Sequence, residues 1–245
     1  MCTSITNNEK YPEFSIMDTI LWLILITIGV QISVGIIIKI IIQVLGLEFK
    51  DLDLVFLRPD IILLGMAMTV IISIPLIKRA AHSTDKTLPF NFLAIKPINK
   101  VILIKILVMG SLYYCLMSIF MQLLNIDTPQ YMLDAKSQVT STLELVMLIT
   151  AVCIIAPVFE EIVFRGLAFS RLQNSKLGPI GAIIITSIIF TGIHIQYEFV
   201  ILVFLFPMAL LYGLVRYKTE NVTYCIALHI LCNSLSTFQL FFLHS

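Results

Sequence analysis

Charge is what this chain most lacks. Only 13% of its 245 residues are Asp, Glu, Lys or Arg, about half the roughly 25% typical of soluble domains. Hydrophobic residues make up 59% and the mean hydropathy is +1.00. A water-soluble fold of this length has too little interior to hide so much apolar surface, so the composition indicates an integral membrane protein. The formal net charge is +1, without the clustered basic excess that a phosphate backbone requires, and a nucleic-acid partner is not expected.

Cysteine spacing excludes a second class. None of the five cysteines (Cys2, Cys115, Cys153, Cys225, Cys232) forms a Cys-x-x-Cys pair, and all but Cys2 lie in apolar stretches. They read as small buried hydrophobes, not as a disulfide or zinc framework. There is no His-Glu-x-x-His, no internal repeat and no low-complexity tract. No apolar segment precedes Cys2, which argues against a lipoprotein anchor. The first apolar run begins near Met17 and exceeds the roughly 7–15 residues of a secretory core, so it is expected to stay as a membrane helix.

What the chain does have is apolar length. Spanning helices need about 20 such residues, and the candidates are Met17–Leu47, Ile61–Ile77, Val101–Ile126, Thr142–Leu172, Pro179–Ile195, Phe199–Val215 and Val222–Phe242. The fold class is therefore all-α, a polytopic transmembrane bundle of about seven spans. The first and fourth runs are longer than one crossing, and Pro157 is positioned to bend the fourth. Lys78, Arg79, Lys86, Lys96 and Lys100 crowd the connection between the second and third spans. Putting it in the cytoplasm also puts Lys10, Arg171, Lys176, Arg216 and Lys218 inside, and leaves Lys50, Arg58 and Lys136 outside. That distribution predicts a cytoplasmic N-terminus, an outward C-terminus and a plasma or inner membrane location. The connection Lys78–Lys100, with Pro89 and Pro97, reads as a topology signal or as a gating element. Lys39 and Lys105 fall inside spans, where they either snorkel or face a cavity. Asn221-Val222-Thr223 matches a glycosylation acceptor but falls on the cytoplasmic side of this topology.

Three polar pairs interrupt the C-terminal apolar runs. Ionisable groups at membrane depth cost several kcal/mol each and persist where they pair or do chemistry. Glu160 and Glu161 are adjacent, so on a helix they point about 100° apart and have different roles. Glu161 and Arg165 stand at i and i+4 with the acid first, the favourable order for an ion pair. That leaves Glu160 as the candidate general base, since a carboxylate in a low-dielectric cavity holds a proton more readily. Phe190 and His194 repeat the spacing beside Gly192. His229 and Asn233 repeat it again, and their N–H groups aimed at one point could stabilise an oxyanion. Each pair alone also reads as structural: an ion-pair network, a packed histidine, an interhelical hydrogen bond.

The ordered set Glu160-Glu161-x-x-x-Arg165, Phe190-x-x-x-His194 and His229-x-x-x-Asn233 resembles the CPBP family. These are the CAAX-protease and bacteriocin-processing (Abi) membrane proteins, which include type II CAAX prenyl endopeptidases. The resemblance covers roughly Leu143–Leu235. It divides the chain into 1–140, variable N-terminal transmembrane helices with a cytoplasmic loop, and 141–245, the catalytic membrane core, within one integrated domain. It implies a membrane endopeptidase whose site opens toward the cytoplasmic half of the bilayer. Glu160 would activate water with His194, His229 and Asn233 would form the oxyanion hole, and Glu161, Arg165 and Phe190 would support them. No obligatory cofactor is favoured; a divalent ion such as zinc would have only Glu160, His194 and His229 as dispersed ligands. The expected partner is a membrane-associated or lipidated peptide, in addition to the bilayer.

Two further readings stand beside the peptidase. One is a non-catalytic immunity or accessory protein that binds a peptide or membrane-protein partner in the same cavity. The other is a transporter or proton relay, which the absence of an internal repeat disfavours. One depth mismatch accompanies all three. At 1.5 Å per residue, His229 lies roughly 10 Å and His194 roughly 24 Å from the cytoplasmic ends of their runs.

Overall fold

The structure, a computed structural model, describes residues 14–46, 52–82 and 90–243. Cys2, Lys10, Lys50, Lys86 and Pro89 lie outside the described residues. The described residues form α1 (Ile16–Val44), α2 (Pro59–Ala80), α3 (Lys100–Leu123), the short α4 (Gln130–Ser137), α5 (Thr142–Leu172), α6 (Gly178–Gly192), α7 (Phe199–Thr219) and α8 (Val222–Leu243), with a single helical turn at Leu52–Val55. Six of them are long and apolar enough to cross a membrane, and α6 is a shorter apolar helix. The chain is an all-helical integral membrane protein of about seven spans.

Local chemistry fixes where these helices start. Orphan N–H groups at a helix start need acceptors. Ser15 accepts from Asp18, Asn99 from Val101 and Ile102, and Asn221 from Thr223. At α5, Ser141 and Glu144 form a reciprocal capping box. Asn221 is thus committed inside the fold: it is buried, and its amide also donates to the carbonyls of Lys96 and Pro97.

The ends are assigned by contacts. Phe14 stacks on His82, Arg171 bonds the Ala80 carbonyl, and the Val222 amide donates to Ala94. The starts of α1, α3, α6 and α8 and the ends of α2, α5 and α7 therefore share one side. Lys78, Arg79, Lys96, Lys100, Lys176 and Lys218 all fall there, so it is called the basic end below. Arg171 and Arg216, read from the sequence as loop charges, are instead buried. Arg171 ties Asp18 and Thr19 of α1 to the end of α2, under the ring of Phe14. Arg216 donates to the Arg165 carbonyl and to Ser170. Acceptors for these guanidinium donors offset part of the cost of leaving water.

Packing in lipid depends on close approach more than on the hydrophobic effect, since the tails are as apolar as leucine. Val30, Val34, Ile38 and Ile42 form a buried i, i+4 stripe of α1 facing α2. Gly110 lets α3 close on α8, where a Cβ would collide with Leu228 Cδ1. The connection Lys78–Lys100 is more than a topology signal in its described part. Phe92, Leu93 and Ala94 are buried, and a Cβ at Gly166 would lie 3.3 Å from the Leu93 carbonyl oxygen. Lys39 and Lys105 are exposed on the outside of the bundle, the snorkelling arrangement and not the cavity. Cys153, Cys225 and Cys232 are buried as expected, whereas Cys115 is exposed on α3.

Two features differ from the sequence expectation. The fifth span ends at Gly192, so His194 sits in the turn that follows the helix. The apolar run continues through Ile195, but the His194 ring takes the Phe190 carbonyl at 2.7 Å and closes the last turn. The fourth run is one helix over the expected residues but changes pitch. It is π-helical over Thr150–Ile155 and Ile162–Ala168, on either side of Ala156–Glu161.

Candidate active site

Pro157 sets the geometry of the site before any polar side chain is considered. In the π-turn ahead of it, the Ala156 amide donates to the Ala151 carbonyl, five residues back. The next bond in that register would run from residue 157 to the Val152 carbonyl. Proline has no N–H to give. Asn233 of α8 supplies it: Nδ2 donates to the Val152 oxygen at 2.8 Å. A gap in the α5 ladder thereby locks α8 in register, with His229 one turn away. A π-turn inside an α-helix often marks a functional site.

His229 is buried and lies between two carboxylates. Its Nδ1 is 2.9 Å from Glu161 Oε1 and its Nε2 is 3.8 Å from Glu160 Oε2. The expected Glu161–Arg165 pair is present at 3.2 Å, fully buried, and Arg165 also donates to the Ala209 carbonyl at 2.8 Å. Glu161 thus serves two partners, Arg165 on its own helix and His229 on α8. Glu160 keeps 20% of its side chain exposed, consistent with a separate role for each glutamate.

Phe190 is the hub of the aromatic packing. Its ring lies 4.8 Å from the His194 ring and 5.7 Å from the His229 ring, with Arg165 stacked over it at 4.6 Å. The three motifs therefore converge, and the depth mismatch between the histidines is bridged by this one side chain. A guanidinium over a ring face is stabilised by the ring quadrupole, more so away from water. Since Phe190 offers a carbonyl, the His194 Nδ1 is the donor and its Nε2 is left as an acceptor. His194 also stacks on Tyr197, rings nearly parallel at 6.2 Å. Tyr197 lies in the turn before α7, and burial pushes its phenol well above the usual tyrosine range.

Sequence reasoning missed four partners. Tyr212 stacks on His229 at 4.8 Å, and the Ala209 and Val152 carbonyls and Tyr197 complete the surroundings. An isolated tyrosine in an apolar span carries no signal, and backbone acceptors carry none at all. Only the missing N–H of Pro157 was readable in advance.

A cavity of about 250 Å³ adjoins the site. His229, Asn233 and Tyr212 line its inner part, and Gln122, Asp127 and Thr128 line it at the far end of α3. It therefore leads away from the basic end. Among the described residues, no group of three His, Cys, Asp or Glu is arranged to hold a metal ion. Glu160, His194 and His229 do not form such a cluster.

Residues 142–235 match the family model for type II CAAX prenyl endopeptidase Rce1-like proteins. The match spans α5 to most of α8 and contains all seven candidate site residues. This part of the chain is similar to the CAAX-protease family. Comparison with curated proteins and with solved structures gives no match. The chain is thus a membrane protein with a region similar to Rce1-like proteins, against which α1–α3 are packed.

Proposed function

We propose that this protein is an intramembrane endopeptidase in which water activated by Glu160 and His194 attacks a peptide carbonyl, with the oxyanion received by His229 and Asn233. The observation that carries this reading is the pair of contacts on His229, Nδ1 to Glu161 at 2.9 Å and Nε2 toward Glu160 at 3.8 Å, beside a cavity that His229 and Asn233 line. Glu160 takes the water proton and later returns it to the leaving amine; His194 Nε2 orients the water. With a proton on each nitrogen, His229 donates to Glu161 through Nδ1 and keeps Nε2–H for the developing oxyanion. Two carboxylates, Arg165 and an imidazolium then sum to zero charge, which tolerates burial better than any member alone. Asn233 spends one N–H on Val152 and retains the other. Oxyanion donors of this kind are typically worth about 10²–10³ in rate.

No step is assigned to a metal, because the candidate ligands are not clustered. The substrate class is a membrane-associated or lipidated peptide. The collection of lysines at one end supports a plasma or inner membrane protein with that end, and the N-terminus, in the cytoplasm.

The test is cleavage of fluorogenic and prenylated peptides by protein in proteoliposomes, comparing wild type with Glu160→Ala, with and without a chelator. Cleavage that disappears in the variant and survives chelation is expected. Cleavage lost on chelation returns the reaction to a metal. Folded wild type that cleaves nothing, while it and the variant bind one partner equally, makes the protein a binding factor.

A further inference from the structure

His194 stands beyond the end of α6, so helix geometry does not hold its ring. The ring Nδ1 donates to the Phe190 carbonyl at 2.7 Å, but one hydrogen bond fixes one ring atom and leaves the plane free to swing about it. A nitrogen that orients a reacting water has to be held to within about 10–20° of its working direction. A second contact is needed to set the plane.

The chain just after His194 supplies it. The Tyr197 amide donates to the His194 carbonyl at 3.1 Å, closing a tight turn over Ile195 and Gln196. That turn lays the Tyr197 ring parallel to the imidazole, 7° between planes with centroids 6.2 Å apart, within the offset range that aromatic pairs favour. Tyr197 is half-buried, while Ile195, Gln196, Glu198 and Phe199 around it are exposed. It is also anchored from a distant part of the chain. Tyr131 of α4 sets its ring against Tyr197, 87° between planes at 5.9 Å, and the Gln130 amide donates to Glu198 at 3.4 Å. α4 in turn is tied to the end of α8, where Lys136 donates to the Leu240 carbonyl at 2.9 Å. Burial raises both phenols above the usual tyrosine range, so both rings stay neutral.

We propose that Tyr197 is a positioning residue for His194, and that α4 holds it in place through Tyr131. The contacts run from Leu240 through Lys136 and α4 to Tyr131, Tyr197 and the imidazole. The inference rests on the peptidase reading for what His194 does, and on the contacts alone for what holds it. Phe190 and Tyr197 then divide the work: the Phe190 carbonyl fixes one ring nitrogen, and the Tyr197 ring fixes the plane. Replacing that ring should misdirect the water-orienting nitrogen without weakening the binding of a peptide.

The test reads the ring and the reaction separately. Histidine-labelled protein in detergent gives a His194 ring resonance, assigned by its loss in His194→Gln. Tyr197→Leu should move that resonance. In proteoliposomes it should lower kcat for a fluorogenic peptide about 10²-fold with KM unchanged, the cost of a misplaced group. Tyr197→Phe keeps the ring and should match wild type in both. Tyr131→Leu should change both in the same direction, and adding it to Tyr197→Leu should lower kcat no further. An unmoved resonance in Tyr197→Leu, or a loss confined to KM, overturns the inference. Equal loss in Tyr197→Phe also overturns it, because the hydroxyl and not the ring would then act. Additive losses in the double variant overturn the route through α4. Wild type that cleaves nothing removes the peptidase reading, and the resonance then decides by itself whether Tyr197 holds His194. If Tyr197→Leu does not fold, Tyr131→Leu, one ring farther away, carries the same two readouts.

Discussion

Glu160 and Glu161 are neighbours in sequence and opposites in environment, and single substitutions should separate them. Glu160 makes no buried hydrogen bond and retains 20% exposure, so Glu160→Gln should leave the thermal unfolding of detergent-solubilised protein nearly unchanged. In proteoliposomes it should lower turnover about 10²–10⁴-fold, the range of a general base. Glu161→Gln should do the reverse of this order. It leaves Arg165 buried without its ion-pair partner, a loss of about 3–5 kcal/mol, and should appear first as a lower unfolding midpoint. The spacing of Glu161 and Arg165 made their pairing legible in the sequence, because a helix sets which residues lie one turn apart. The bond from Glu161 to His229 was not legible. Helix period fixes the face a residue occupies, and only packing decides which helix meets that face.

Among elements, the junction of α5 and α8 makes the sharpest prediction. Asn233→Ala removes the donor to the Val152 carbonyl and should cost about 1–3 kcal/mol for the unsatisfied group. Pro157→Ala restores a backbone N–H in the register that ends at Ala156. The double variant should therefore be less destabilised than the sum of the singles, with a coupling of about 0.5–3 kcal/mol in a double-mutant cycle on unfolding. Strict additivity would mean that Asn233 does not replace the proline's missing donor. The contact of Leu93 on α5 offers a second test. Gly166→Ala sets a methyl 3.3 Å from the Leu93 carbonyl oxygen, and overpacking against backbone should cost about 1–3 kcal/mol, read from thermal unfolding. Span positions were legible from apolar length, to within a few residues at most ends. The end of α6 was not, since Ile193 and Ile195 continue the apolar run past the helix and a side-chain contact at His194 closes it.

For the whole molecule, the Rce1-like region and the described N-terminal helices are expected to unfold as one body. Arg171 of α5 holds Asp18 and Thr19 of α1 and the carbonyl that ends α2. Arg171→Leu should lower stability by about 1–3 kcal/mol through the orphaned acceptors, with a single cooperative transition in calorimetry. Two separate transitions would mean that residues 1–140 form an independent unit. The division at residue 140 falls just before the family match, which begins at residue 142.

Composition by itself determined that the chain lives in a bilayer, because so few charges cannot solvate so much apolar surface. The i, i+4 spacings determined which polar side chains share a face, and their order supported the family that the match to residues 142–235 bears out. Lysine placement gave one end of the bundle its basic character. Tertiary structure decided the rest. It joined Glu161 to His229 across 68 positions and seated Asn233 on the carbonyl that Pro157 leaves open. It also turned two apparent loop arginines into buried ties and led the cavity away from the basic end. Each of these depends on which faces meet at depth, and in lipid that is settled by close packing and by the need of buried polar groups for partners.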